Sequence, residues 1–256
     1  MGKGKKKKQK KVSITGKPTV SIVTPTYNRR KFIPFLIQCV KNQTYPMQLM
    51  EWIVVDDGED CVEDLFKEVD FIEVKYIYIK QKMKLGAKRN YMHSLVSNEI
   101  VIYMDDDDYY HPERVQYAVQ RLRSKPQIKI AGCSEMFIYF IDTKEIWRFG
   151  PYGNNHSTAG TFSFWRELIE ETSYDDEAEQ AEEKYFLKNY TIPLLQLNPQ
   201  KTILVLAHSS NTFDKHILLK NPHPQLTHKT NLQLKHFIKD KAQRKMFTEF
   251  IENCVS

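Results

Sequence analysis

The chain has no apolar run near the roughly 20 residues that a membrane-spanning helix requires. Its first residues carry lysines without the apolar stretch that completes a secretory signal, so we expect a soluble, cytoplasmic protein. The four cysteines among 256 residues are scattered and form no CxxC pair; they are Cys39, Cys61, Cys133 and Cys254. We therefore expect reduced thiols, and neither a disulfide framework nor a zinc site.

Positive charge is concentrated at one end of the chain. The formal net charge is +6, but residues 1–11 hold seven of the 38 lysines and arginines, and without them the net charge is about −1. We expect residues 1–17 to form a disordered lysine-rich tail. Such a tail either solubilises the protein or attracts it weakly to an anionic membrane surface or nucleic acid. For the protein as a whole we expect no nucleic-acid partner.

Three segments share one pattern, in which a short β-branched or aromatic run ends in polar residues. They are residues 19–28, 51–60 and 99–108. A further strand pattern and four helical patterns lie among them, at residues 74–80 and at 30–43, 61–69, 86–97 and 111–124. This alternation predicts an α/β, Rossmann-like fold with a mostly parallel sheet flanked by helices. Ligands bind beyond the carboxyl ends of such strands, where the polar residues gather.

The second half of the chain follows a different pattern. It predicts two antiparallel strands in residues 128–150 around a turn at 142–144, helices near 163–171 and 231–252, an acidic segment at 173–190 and a strand at 201–207. We therefore expect one domain with a nucleotide-binding half, residues 18–125. Residues 126–256 would form a smaller mixed or antiparallel half with a helical C-terminal segment.

Four consecutive aspartates, Asp105 to Asp108, follow the apolar strand pattern at 100–104. The carboxylates of Asp105 and Asp107 could meet one hard cation, Mg²⁺ or Mn²⁺. Because Mg²⁺ typically takes one or two carboxylates plus substrate phosphates, this pair implies a phosphate-bearing substrate. The alternative is an acidic first turn for the helix after Pro112, which could explain Asp108 but not the other three.

Two neighbouring motifs could belong to the same site. Asp56 and Asp57 end the adjacent strand, where a carboxylate could accept a hydrogen bond from a base N–H or a ribose hydroxyl, although an ordinary turn explains them equally well. Gly86 begins a helix and is followed by Lys88 and Arg89. Cations beside a helix N-terminus favour a diphosphate, but they are also frequent on ordinary surfaces.

In this order and at these spacings, the stretches VSIVTPTYNR, WIVVDDGED, GAKRN and YMDDDDYYHPERV resemble the motifs of family 2 glycosyltransferases over about residues 19–122. The resemblance implies a GT-A fold, a UDP- or GDP-sugar donor, a divalent metal and transfer with inversion. It also implies the donor-site residues: Pro25, Thr26 and Tyr27 around base and ribose, Asp57 or Asp56 on the base N–H, Lys88 and Arg89 near base or diphosphate, and Asp106 near the ribose. Asp107 would be the direct metal ligand, with Asp105 beside it.

The resemblance is weaker in the second half. The Glu-Asp pair that supplies the family's general base corresponds to AEEKYFL (181–187), with Glu183 in place of the aspartate. Glu182, Asp175 and Asp176 are alternatives, and a solvated acidic helix would explain the segment equally well. Three further residues are implied, each with an ordinary structural role as the alternative: Gly160 and Trp165 facing the acceptor, and His208 on metal or diphosphate. The acceptor would be a glycan, glycoprotein or glycolipid.

Two other classes compete with this interpretation. A nucleotidyltransferase that makes sugar nucleotides would carry a loop rich in glycine and basic residues after its first strand, but TPTYNRR (24–30) lacks the glycine. A nucleic-acid-binding protein would depend on the lysine tail for its affinity.

Overall fold

The computed structural model describes residues 16–255. The predicted lysine-rich tail therefore lies outside the described residues, apart from its last two positions. Twelve strands are present: β1 Val20–Thr26, β2 Met50–Asp56, β3 Glu73–Tyr78, β4 Ile100–Tyr103, β5 Tyr109–Tyr110, β6 Ile130–Gly132, β7 Met136–Phe140, β8 Glu145–Phe149, β9 Ser163–Trp165, β10 Leu194–Gln196, β11 Ile203–Ala207 and β12 Thr227–Lys229.

Seven α-helices accompany the strands: α1 Ile33–Lys41, α2 Glu63–Phe66, α3 Leu85–Leu95, α4 Arg114–Ser124, α5 Glu183–Phe186, α6 Ile217–Lys220 and α7 Lys241–Val255. Short 3₁₀ turns occupy Met47–Leu49, Ala159–Thr161, Arg166–Glu170, Pro199–Lys201 and Leu234–His236. Pro34 stands in the first turn of α1, where its missing N–H costs no intrahelical hydrogen bond.

The strands form two sheets. The first has the order β10-β6-β9-β4-β1-β2-β3, and β1 pairs in parallel with both β2 and β4. Strand β9 is antiparallel to its neighbours β4 and β6. The second sheet has the order β12-β8-β7-β11-β5 and mixes parallel with antiparallel pairs. The expected fold class, a mostly parallel sheet with helices and a smaller mixed sheet, is confirmed.

The first sheet is buried on both faces. Along β1, Ile22 packs into a cluster on one face and Val23 into a cluster on the other, as the two-residue period of a strand requires. The cluster around Ile22 extends to Leu206 of the second sheet and Phe247 of α7. The two sheets therefore share one continuous core, and the carboxyl ends of β1, β2 and β4 are held at a common edge.

Three element predictions need correction. Residues 163–171 are not a helix, because Ser163–Trp165 form a strand between β4 and β6, followed by a 3₁₀ turn. A local sequence pattern cannot show that β4 and β6 each have an edge with which this segment pairs. The predicted hairpin in 128–150 is present as β7 and β8, but Ile130–Gly132 belongs to the other sheet. The C-terminal helix begins at Lys241, ten residues later than predicted.

The absences predicted from the sequence can be compared with the described part of the chain. None of the helices in residues 16–255 combines the length and apolar character needed to cross a bilayer. Cys39, Cys61 and Cys133 are all free thiols.

Candidate active site

The carboxyl ends of β1 and β4 open onto a cleft of about 690 Å³, a volume typical of small-molecule sites. Eight of the sequence-predicted residues line it: Pro25, Thr26, Tyr27, Lys88, Arg89, Asp105, Asp106 and Asp107. Sequence inspection did not identify the others: Asn28, Arg29, Lys82, Met83, Lys84, Leu85, Glu179, Ser210 and Thr212. The cleft thus joins the ends of distant segments at one edge of the first sheet.

Asp108 differs from the other three aspartates because its role is structural. Its Oδ1 accepts a hydrogen bond from the backbone N–H of Leu206 at 2.9 Å, which fastens the end of the aspartate run to β11. Burial and the charge of Asp107 raise its pKa well above the usual range. It is not part of the first turn of α4, which begins at Arg114 without acidic residues, so that interpretation of Asp108 is wrong.

Asp107 is the most strongly paired of the four. Its Oδ2 lies 3.1 Å from His208 Nε2, 3.2 Å from Asn211 Nδ2 and 3.5 Å from Arg29 Nη2. Burial alone would raise its pKa, but the hydrogen bond with His208 and the charges of Lys215 and Arg29 outweigh burial and lower the pKa to about 2. Asp107 is therefore a carboxylate at neutral pH, accepting several donors at once.

Asp105 and Asp106 are less completely paired. Arg29 Nε lies 3.5 Å from Asp106 Oδ1, while burial and the charge of Asp107 raise the pKa of Asp106 to about 8. Burial also raises the pKa of Asp105. The Oδ1 atom of Asp105 is buried without a hydrogen-bond partner among the described residues. Arg29, which the sequence analysis missed, thus bridges Asp106 and Asp107 from the loop after β1.

A divalent cation fits part of this arrangement. Within residues 16–253, no group of three or more histidine, cysteine or acidic side chains is placed to hold an ion. The unpartnered Oδ1 of Asp105 and the carboxylate of Asp107 are nevertheless hard oxygen ligands, and two carboxylates suffice where substrate phosphates complete the shell. The donor set therefore suits Mg²⁺ or Mn²⁺ held jointly with a phosphate-bearing ligand.

His208 is positioned as a hydrogen-bond donor to Asp107. Its Nδ1 accepts from the backbone N–H of Ser210 at 3.2 Å, so the neutral ring carries its proton on Nε2, facing Asp107. The ring also packs against Phe32, with centroids 4.5 Å apart. To bind a metal through Nε2, the ring would have to move its proton to Nδ1 and lose the hydrogen bond from Ser210.

The two aspartates at the end of β2 have separate roles. The carboxylate of Asp56 is occupied by neighbouring donors. It accepts from the backbone N–H groups of Gly58 at 2.9 Å and Val62 at 3.1 Å and from the Tyr76 hydroxyl. Asp57 is paired with the buried ammonium of Lys88, a cleft residue. Burial lowers the pKa of Lys88. The other oxygen of Asp57, Oδ2, accepts from the Met83 N–H at 2.7 Å. The Asp57 side chain is fully buried and does not line the cleft; it adjoins the cleft through Lys88 and Met83.

Arg89 connects the cleft to the acidic segment of the second half. Its Nε donates to Glu182 Oε1 at 2.8 Å, its Nη1 lies 3.5 Å from Asp105 Oδ1, and its guanidinium lies 4.7 Å from the centroid of the Tyr103 ring. Burial opposes the charge, but Asp105 and Glu182 raise the pKa of Arg89 well above its usual value. Apart from this ion pair with Asp105, the buried Nη1 has no hydrogen-bond partner among the described residues, and Arg89 lines the cleft. It can therefore donate to a ligand.

The candidate general bases differ in their pairing. Glu182 is engaged by Arg89, whereas Glu183, the first residue of α5, forms no ion pair with any described side chain. Burial and the neighbouring charge of Glu182 raise the pKa of Glu183 to about 6. Asp176 is exposed and accepts from Asn90 Nδ2 at 2.6 Å. Glu183 is thus the partly buried carboxylate that is free to take a proton.

The amino end of α3 is occupied by this acidic segment. The Gly86 N–H donates to the carbonyl of Ala178 at 3.0 Å, and a Cβ at Gly86 would lie 1.9 Å from the carbonyl oxygen of Asp175. Gly86 is therefore required for close backbone packing. Its N–H is therefore not free for a diphosphate, whereas Lys84, Leu85, Lys88 and Arg89 at the same helix start do line the cleft.

Two residues expected on the acceptor side lie in different places. A Cβ at Gly160 would come within 2.7 Å of Asp105 Oδ2, so the glycine leaves room for that carboxylate. Trp165 pairs with Ile100, at the end of β4 opposite the aspartates, and packs against the core. The structure does not bring Trp165 to the cleft.

Comparisons with known proteins identify a family and two solved structures of similar fold. The family model described as "Glycosyl transferase family 2" matches residues 21–172. The GalNAc(5)-diNAcBac-PP-undecaprenol beta-1,3-glucosyltransferase of Campylobacter jejuni is 33% identical over 98 residues, which are 36% of this chain and 30% of that protein. Three other curated bacterial relatives are covered over 40%, 30% and 36% of their length, so the chain spans well under half of these proteins.

Two solved structures share the fold. S. aureus TarS 1–349 in complex with UDP-GlcNAc aligns with a TM-score of 0.62 at 19% identity, covering 75% of this chain and 60% of that one. The mannosyltransferase PcManGT from Pyrobaculum calidifontis, in complex with GDP-Man and Mn²⁺, aligns with a TM-score of 0.62 at 16% identity, covering 80% and 62%. At these identities the likeness establishes the architecture.

Proposed function

Because the chain belongs to glycosyl transferase family 2, we propose that it transfers a sugar from a nucleotide-sugar donor to an acceptor hydroxyl. The observation that carries this proposal is the cleft at the edge of the parallel strands, where the run Asp105 to Asp107 faces the cations Arg29, Lys88 and Arg89. Carboxylates for a cation and cations for phosphates in one cleft suit a nucleoside diphosphate sugar. TarS and PcManGT were solved with such donors.

The base and ribose would occupy the part of the cleft formed by the end of β1. Pro25, Thr26 and Tyr27 line it, and Asp57 lies behind Lys88. A carboxylate has about four acceptor sites, so Asp57 can keep Lys88 and the Met83 N–H and still accept from a base N–H. The base would have to displace the side chains that bury Asp57. Uracil and guanine both present such an N–H, and the neighbours include one UDP-sugar and one GDP-sugar complex. Either nucleotide is consistent with this site.

A divalent cation would be held by Asp107 and Asp105. When bound, it would neutralise negative charge on the donor diphosphate, as Mn²⁺ present in the PcManGT complex suggests. The chain's own contribution to the same charge is Arg89, together with Lys88. Among the described residues, Nη1 of Arg89 makes only the 3.5 Å ion pair with Asp105, and it would donate to a phosphate oxygen. Fixed donors in a partly buried site stabilise developing charge more than water does.

Glu183 would act as the general base of a single displacement with inversion. Its carboxylate accepts the proton of the acceptor hydroxyl as that oxygen bonds to the sugar C1, and the bond from C1 to the diphosphate oxygen breaks on the opposite face. A pKa of about 6 leaves Glu183 ionised at neutral pH and makes it a stronger base than an ordinary glutamate. Glu182 would instead hold Arg89 in place.

The acceptor would be a glycan, glycoprotein or glycolipid. The C. jejuni relative is named for a diphospho-undecaprenol-linked glycan, and TarS for poly(ribitol-phosphate). Both are hydroxyl-bearing chains attached to phosphate, which is the acceptor chemistry that we propose.

Thermal shift with a panel of UDP- and GDP-sugars, each with and without Mn²⁺, tests the donor part of this proposal. We expect one donor to raise Tm and Mn²⁺ to increase the rise, because a ligand that binds the folded state stabilises it by mass action. Asp60→Asn, an exposed site paired with Arg30, is the control for general effects of removing a carboxylate. If every nucleotide sugar left Tm unchanged, while single-stranded RNA raised it, the protein would be a nucleic-acid binder instead.

A further inference from the structure

We propose that residues 213–220, here called the lip segment, form a contact site for an anionic membrane surface beside the mouth of the cleft. The segment directly follows Ser210 and Thr212, which line the cleft, and it ends with α6. The membrane contact does not depend on the proposed transfer reaction. The idea that this contact presents the cleft to a lipid-carried acceptor does rest on that function.

Two large apolar side chains of the lip segment are exposed. Phe213 is 41% exposed and Ile217 is 49% exposed. The other large hydrophobic side chains exposed to this degree in the described residues are all tyrosines, whose hydroxyl can be hydrated. The Ile217 N–H donates to the Asp214 carbonyl at 3.1 Å, which closes a turn between the two apolar residues just before α6.

This exposure belongs to a segment that is firmly attached to the body. Leu218 and Leu219 pack against the shared core, and the His216 ring lies 5.1 Å from that of Phe140. His216 Nε2 also lies 3.1 Å from Asp142 Oδ2. The inward side of the lip segment is thus used for packing, whereas Phe213 and Ile217 are left on the outward side.

The sequence is strongly positive from the lip segment into α7, although Lys229 and Lys245 in this stretch are paired with Glu145 and Glu249. Residues 213–245 contain eight lysines and arginines but two aspartates, a net charge of +6 in a body whose total beyond residue 11 is about −1. Within the lip segment, Lys215 and Lys220 form no ion pair with the described side chains. The charge of Lys215 acts on both Asp107 and Asp108, which places this lysine near the cleft.

Exposed apolar side chains next to unpaired lysines are the chemistry of a membrane-interface contact. Lysines are attracted to anionic headgroups, and the apolar side chains enter the boundary between headgroups and acyl chains. A dissolved polyanion would satisfy the lysines but would leave Phe213 and Ile217 in water. A membrane surface satisfies both groups, and it would present the mouth of the cleft to an acceptor hydroxyl carried by a lipid.

The test is co-sedimentation of the full chain with vesicles of phosphatidylcholine alone or of equal parts phosphatidylcholine and phosphatidylglycerol. We expect the double variant Phe213→Ser, Ile217→Ser to lower the partition coefficient on anionic vesicles about tenfold or more. We expect Lys215→Gln with Lys220→Gln to lower it several-fold, an effect that salt should remove. The lysines of residues 1–11 are present in every variant, so they cancel from the comparison.

Tyr91→Ser is the matched control, since Tyr91 is 36% exposed on α3, a helix that packs on the opposite face of the first sheet. It should bind vesicles as the unmodified chain does. Equal vesicle binding by the unmodified chain and the Phe213/Ile217 variant, in low and high salt, would overturn the proposal. The proposal would also be overturned if the Phe213/Ile217 variant bound vesicles normally but self-associated more weakly in their absence. The surface would then join two copies of this chain. Tm with a nucleotide sugar separates either result from failure of the proposed function.

Discussion

The donor side, which lines the cleft, and the base side, the acidic segment with Glu183 that adjoins the cleft through Arg89 without Glu183 lining it, are built in different ways. On the donor side, the functional groups end strands of a parallel sheet whose interior is fully buried, so their spacing is set by backbone hydrogen bonds. On the base side, Glu183 begins a helix of four residues that follows a long acidic loop. That loop is joined to the donor side by contacts with α3, including Arg89–Glu182 and Asn90–Asp176.

This difference shows where preorganisation comes from. A residue at a strand end is positioned by the sheet itself, whereas the base is positioned by a few long-range contacts between the acidic segment and α3. We therefore expect donor-side substitutions to act locally on binding and charge. Base-side positions should respond to changes in α3 as well as to changes in the carboxylates themselves.

Glu183→Gln should give the largest effect and would identify the base. Loss of a general base typically costs 10²- to 10⁴-fold, so we expect kcat to fall about a thousandfold while donor binding persists. Initial rates of transfer and Tm with the donor measure the two quantities. Glu167→Gln, at a carboxylate 60% exposed and paired with Lys129, is the control. If Glu182→Gln lost more activity than Glu183→Gln, the two roles would have to be exchanged.

Asp107→Asn should reduce transfer about a hundredfold, because a carboxylate that holds the proposed cation contributes to stabilising charge on the leaving diphosphate. In contrast to Glu183→Gln, it should also abolish the extra Tm rise that Mn²⁺ gives to the donor complex. Full activity and an unchanged Mn²⁺ response in this variant would remove Asp107 from the metal site. Asp60→Asn is again the matched control.

The pH dependence of kcat should show the raised pKa of Glu183. The base must be ionised, so the rate should fall about tenfold per pH unit below a midpoint near pH 6, where an ordinary glutamate would hold the rate to lower pH. Glu182→Gln removes the neighbouring negative charge, which should move this midpoint to lower pH. A profile flat down to pH 5 would contradict the raised pKa of Glu183, and the loss of activity in Glu183→Gln would then decide whether it is the base.

Gly86→Ala should have the smallest effect on chemistry but should weaken the connection between the two sides. The added Cβ meets the Asp175 carbonyl, and forced overpacking of this kind costs about 1–3 kcal/mol in the free energy of unfolding. Thermal denaturation measures this loss, with the exposed Ser94→Ala in the same helix as control. An unchanged Tm together with unchanged kcat would mean that the acidic segment does not depend on this packing.

Local sequence patterns predicted much of the donor side. Short β-branched or aromatic runs that end in polar residues identified β1, β2 and β4, and those polar residues do line or adjoin one cleft. Arg29 was missed although it follows the same strand, because nothing local distinguishes a guanidinium that folds back over Asp106 from one in solvent. Asp56 and Asp57 were equivalent in sequence for the same reason, since their hydrogen-bond partners come from later in the chain.

The base side was less predictable. Ser163–Trp165 form a strand because they pair with the edges of both β4 and β6. This pairing places Trp165 beside Ile100, at the end of β4 opposite the aspartates. The distinction between Glu182 and Glu183 depends on Arg89, which lies 93 positions away from Glu182. Long-range pairing of this kind leaves no periodic trace in either segment.

The sequence by itself determined the α/β class, the burial of the first sheet and the family motifs, because these follow from the order of residues within short segments. The tertiary structure decided which of four adjacent aspartates line the cleft, which glutamate is free to accept a proton, and where the lip segment exposes its apolar side chains. These properties depend on burial and on charges brought together from distant parts of the chain. The physical reason is that hydrogen bonds, desolvation and charge pairing act over a few ångströms of space, whatever the separation in sequence.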